Sequence, residues 1–169
     1  MCSILCWVSL VILLSYILWT NKTIGTTVSL SQTYYKTKTI FTLVIGICNL
    51  LILPKAMFMS GQCWIIPWLG TLGMIIVGLC PDVNGKERKI HIIGATLGAI
   101  FGQVWSMCFG LWPLMLAWLF PIVLMYKAWK NTKIEKTWTN LEKIFDEVNL
   151  VYWVEMTCYF ILYGNLILK

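Results

Sequence analysis

The chain has 169 residues, of which 59% are hydrophobic and 12% charged, with a mean hydropathy of +0.79 and a formal net charge of +6. A soluble domain usually carries about 25% charged residues, and one of this size could not hide so much apolar surface in a single core. A soluble enzyme, a disordered tail and a secreted disulfide scaffold are excluded, and the composition predicts a single all-α, polytopic domain in a lipid bilayer.

Apolar runs of about 20 residues, the length a helix needs to cross ~30 Å of hydrocarbon, occur six times. The first, 2–20, has no basic residue before it and no small-residue cleavage pattern, so it reads as a retained helix rather than a signal peptide. The second, 39–59, is interrupted by Pro54-Lys55. The third, 64–80, contains Gly70, Gly73 and Gly78, and the fourth, 90–109, contains Gly94, Gly98 and Gly102. The fifth, 111–129, carries Pro113 and Pro121, and the sixth is 148–168. Only Ser60-Gly61-Gln62-Cys63 separates the second from the third, and little more than Gly110 separates the fourth from the fifth. These are tight hairpins, and the expectation is a transmembrane six-helix bundle.

The basic residues orient it. Eleven of the thirteen fall on loops one, three and five and their flanks; Lys55 and Lys169 fall on the other side. By the positive-inside rule, loops one, three and five are cytoplasmic and both termini lie outside, as in a bacterial inner membrane. The net charge is thereby explained without nucleic acid. Trp7, Trp64, Trp68 and Trp112 fall near the outer boundary, and Trp19, Trp129, Tyr152 and Trp153 near the inner one, as aromatic belts do.

Gly94, Gly98 and Gly102 recur every fourth residue and give the fourth span a ridge on which another backbone can sit closely. The ridge suits packing within the chain and, as a second use, a homo-oligomer. Asn49 and Gln103 are expected to hydrogen-bond between helices. In loop five, Ile134, Trp138, Leu141, Phe145 and Val148 are spaced 4, 3, 4 and 3 apart. That period predicts an amphipathic helix over 131–149, lying on the cytoplasmic interface and offering a face to a protein partner.

Ionisable residues inside a membrane are costly and are usually paired or functional. Glu155 lies about 10 Å into the sixth span at ~1.5 Å per residue. His91 opens the fourth span and Asp82 closes the third. All three share the cytoplasmic half, so a polar cluster of Asp82, His91 and Glu155, roofed by Tyr34 and Tyr35, is expected there. The seven cysteines are scattered with no C-x-x-C pair, and His91 is the only histidine. No metal site and no cofactor is predicted.

The segment Ser29-Leu30-Ser31-Gln32-Thr33-Tyr34-Tyr35 and the helix start His91-Ile92-Ile93-Gly94-Ala95 resemble motifs of small polytopic membrane proteins from bacteria and phages. The resemblance covers about residues 1–130 and brings no assigned activity. The ceramidase-type seven-span hydrolases fit poorly, because their zinc-binding histidines have no counterparts. The sequence favours a non-catalytic membrane protein: a scaffold, a pore or assembly subunit, or a small transporter. The alternative is an intramembrane enzyme, or a protein binding lipid, protons or a cation at Asp82, His91 and Glu155.

Overall fold

The computed structural model describes residues 2–25, 29–37, 39–80, 85–132, 134, 137 and 140–169, with the backbone alone at residue 142. Apolar side chains carry most of the chain into helix, and the second expected span is not interrupted at Pro54-Lys55 but runs on through them as one helix. In order the helices are α1 (Cys2–Thr23), α2 (Tyr34–Thr37), α3 (Thr39–Ser60), α4 (Ile65–Leu79), α5 (Arg88–Phe109), α6 (Leu119–Asn131), α7 (Leu141–Asp146) and α8 (Leu150–Leu168). Three 3-10 turns, Leu30–Thr33, Gly61–Cys63 and Trp112–Trp118, join them. The described residues contain no strand. Five segments are long and apolar enough to cross a membrane: α1, α3 with its following turn, α5, the run Trp112–Asn131, and α8. The protein is therefore a multi-pass integral membrane protein whose outer helix faces meet lipid.

The third expected span is shorter than 64–80. As α4 it has 15 residues, about 22 Å at 1.5 Å per residue, and so falls below spanning length. The fifth begins as the 3-10 turn Trp112–Trp118, with Pro113 in its first turn, where a missing N–H costs no helical bond. The expected amphipathic helix over 131–149 is reduced, among the described residues, to the six residues of α7. Residues 133, 135, 136, 138 and 139 of that segment lie outside the described residues. A turn follows, and Asn149 takes a left-handed conformation (φ 50°) before α8 starts. Asn tolerates that geometry better than most residues, and it separates α7 from the last span.

The helices form a ring. α1 packs on α3, α3 on α4, α4 on α5, α5 on α8, and α8 back on α1. α6 packs on α8 from outside, where Phe120 meets Trp153 edge-on at 5.2 Å. Ser9 pins three members together at mid-depth. Its hydroxyl donates to the Cys48 carbonyl at 2.9 Å and also bonds the Tyr163 hydroxyl. At the end of the bundle where α3 turns into α4, Trp105 Nε1 donates to Ser60 Oγ at 2.7 Å. The α3–α4 hairpin turns at Gly61, whose φ of +53° favours glycine. The α5–α6 turn is held by Asn165, which accepts from Leu111 N and donates to its own helix at Ile161 O.

The most extensive interface is α4 on α5, and glycines make it. A Cβ on Gly73 would lie 2.6 Å from the Gly94 carbonyl and closer still to the Gly98 amide. A Cβ on Gly98 would lie 2.6 Å from Met74 Sδ. Gly94 and Gly98 therefore seat α4 within the chain. Gly102 differs, since a Cβ there meets nothing within 4 Å.

This contrast is testable in one detergent by thermal unfolding. Gly73→Ala forces backbone apart and is expected to cost about 1–3 kcal/mol. Gly102→Ala is expected to be neutral or to gain up to ~1 kcal/mol, as glycine is a poor helix former. Equal melting temperatures for the two variants would contradict the packing.

Candidate functional site

Loop one supplies the floor of the site. Ser29, in extended conformation (φ −146°, ψ 158°), caps the turn Leu30–Thr33 by accepting from Gln32 N at 3.3 Å. Thr33 Oγ1 donates to the Leu30 carbonyl at 2.6 Å. From α1, the buried Tyr16 hydroxyl reaches Thr33 Oγ1 at 2.6 Å and Thr37 Oγ1 at 2.8 Å. The hydroxyl-rich run thus becomes a compact turn whose own side chains satisfy much of its backbone, which lets it sit among apolar helices.

One backbone donor of this turn is satisfied from across the ring. Leu30 N donates to Glu155 Oε2 on α8, and Ser31 lies beside the same carboxylate on the cavity wall. Leu30 and Ser31 are themselves buried. An N–H left unpaired in such surroundings would cost about 1–3 kcal/mol, so a carboxylate at this depth has a structural partner as well as a chemical one.

Above that contact lies a cavity of about 320 Å³ between α3, α4, α5 and α8. Leu30, Ser31 and Glu155 close its loop-one end, while Ala56, Pro67 and Trp105 lie toward the other. Ala95 to Trp105 on its α5 wall spans about 15 Å at ~1.5 Å per residue, so the cavity is long and narrow. Its wall is mostly apolar (Phe41, Ile45, Ile52, Met74 and Leu162 among others), with a few polar groups along it. This is the usual make-up of a small-molecule site. Asn49 spends its amide on its own helix, donating to Ile45 O at 2.8 Å. Gln103 accepts from Trp118 Nε1 at 3.0 Å, an inter-element bond. Tyr159, one turn beyond Glu155 on the same face of α8, faces Asn49 without a hydrogen bond of ordinary geometry. Among the described residues its hydroxyl is the buried side-chain polar atom left without a partner.

Compared with known protein families, curated proteins and solved structures, the chain matches none. Function is therefore argued from this geometry.

The residues expected from sequence are distributed as follows. Glu155 lines the cavity. His91 is buried, with Nδ1 2.9 Å from the Cys80 carbonyl; it secures the end of α4 and is not on the cavity wall. Asp82 lies outside the described residues. Tyr34 packs edge-on against Phe41 at 6.3 Å and against Tyr35 at 6.0 Å, so it backs the wall through Phe41. Of the glycine ridge, Gly98 and Gly102 both border the cavity. No group of His, Cys, Asp and Glu among the described residues has metal-binding geometry. The Leu30 amide and Tyr159 were not anticipated. A backbone donor has no signature in sequence, but Tyr159, four residues after Glu155, could have been read from helical spacing.

Substitution at Glu155 tests the link. Glu155→Gln keeps an acceptor for Leu30 N and is expected to melt close to wild type. Glu155→Ala strips that amide of its partner and is expected to lose about 1–3 kcal/mol. Equal stability of the two variants in detergent would contradict the bond.

Proposed function

We propose that this chain is a six-span, non-catalytic membrane protein that takes a chain-like apolar molecule from the bilayer into the cavity between α3, α4, α5 and α8. The observation that carries this is a mostly apolar cavity of about 320 Å³ ending at a carboxylate. Lipid tails surround the helices, so a ligand entering sideways brings its apolar part from one hydrocarbon environment to another. Selectivity then falls to the few polar groups on the wall.

The topology is part of the same proposal. α4 serves as a short sixth span, matched to α5 along its length, with loops one, three and five in the cytoplasm and both termini outside. Support comes from the eleven basic residues on those loops against two elsewhere. An intramembrane enzyme, or a proton or cation carrier, built on Asp82, His91 and Glu155 has less support, because His91 is engaged with the Cys80 carbonyl.

Two measurements test this. Alkaline phosphatase fused after Asn84 is expected to be inactive and after Lys169 active; the reverse pattern would overturn the orientation. For the cavity, a diazirine-bearing long-chain alcohol is expected to photolabel cavity residues of α5 and α8 in vesicles. Gly102→Phe, which adds a ring where open space lies, is expected to remove that labelling while leaving the melting temperature unchanged. Labelling confined to outer-face residues such as Ile122, and indifferent to Gly102→Phe, would refute the uptake.

A further inference from the structure

Resting on the reading of the cavity as a binding site, we propose that its ligand is a single-chain amphiphile with a cationic head, of the long-chain primary amine class, whose ammonium sits at Glu155. The tail runs along α5 toward Trp105.

The charge on the wall selects the head. Among the described residues, Glu155 is the sole acidic or basic side chain lining the cavity, and no Lys, Arg or His of that set borders it. A fatty acid or a phosphate head placed there would meet a carboxylate and no cation. An ammonium would meet the partner that intramembrane acids ordinarily have and this one lacks within the wall. Geometry leaves room for it. An ionised carboxylate offers about four acceptor positions, and Glu155 gives one of its oxygens to Leu30 N. A second oxygen lies one helical turn further along the same face of α8: the Tyr159 hydroxyl is buried and without a partner among the described residues, and Tyr159 lines the same cavity. An ammonium, with three donors, can bridge oxygens so arranged.

The rest of the wall suits one hydrocarbon chain. Past Tyr159 the lining is dominated by Ile52, Ala56, Met74 and Leu162. The α5 wall is about 15 Å long at ~1.5 Å per residue, enough for one medium-length alkyl tail. The absent side chain at Gly102 keeps the passage open on the α5 side.

The experiment compares heads on a common tail. The full chain is placed in nanodiscs of zwitterionic lipid, with empty nanodiscs as control. Dodecylamine, dodecanol and dodecanoic acid then compete against the diazirine alcohol probe. In wild type the amine is expected to compete at least about tenfold better than the alcohol, as a hydrogen-bonded charge pair should, with the acid weakest. Glu155→Gln, whose fold is checked by its melting temperature, is expected to bring the amine down to the level of the alcohol. Equal competition by amine and alcohol in wild type, or an amine preference that survives Glu155→Gln, would overturn the cationic head while leaving the cavity reading intact. If none of the three displaces the probe, both fall.

Discussion

Inside hydrocarbon there is no water to rescue an unpaired polar group, so each must find its partner within the protein. Glu155 meets that constraint by accepting from the Leu30 amide, and much of the arrangement around the site follows. The turn at Leu30–Thr33 is gripped from α8 by this bond and from α1 by Tyr16 through Thr33 and Thr37. Those two helices are neighbours in the ring, so the turn closes one end of the space the ring encloses. A solvated connector of the same length would leave that end open.

The ring is not packed evenly. On the α4–α5 side, Gly73, Gly94 and Gly98 bring backbones into contact, where van der Waals attraction replaces the hydrophobic drive that lipid removes. A few residues on, Gly102 faces open space. Three glycines with identical spacing thus do two jobs, and the boundary between tight packing and cavity falls between the second and the third. A short α4 fits this pattern. Its 15 residues gain little from lipid on their own and are held by α5.

Much of the helical frame was legible in sequence, because apolar length alone marks a helix that can cross a bilayer. Five of the expected spans have that length, within a few residues of their expected bounds. The local breaks were less legible. A period of 4, 3, 4 and 3 runs to Val148, but α7 ends at Asp146, and left-handed Asn149 separates it from α8. Depth placed Glu155 and His91 in one layer, yet depth does not reveal which way a side chain turns around its helix. His91 faces the end of α4 and binds a carbonyl, whereas Glu155 faces the ring interior. The decisive partner, a backbone N–H, is common to nearly every residue and leaves no trace in composition or spacing.

The central claim is that the loop-one turn is tied into the membrane helices through Glu155. Hydrogen–deuterium exchange at the Leu30 amide, followed in the full chain in nanodiscs, reads that bond itself. The account predicts slow exchange at Leu30 in wild type and acceleration of at least about tenfold in Glu155→Ala, where opening no longer breaks a bond to a carboxylate. A Leu30 amide that exchanges in wild type as fast as in Glu155→Ala would contradict it.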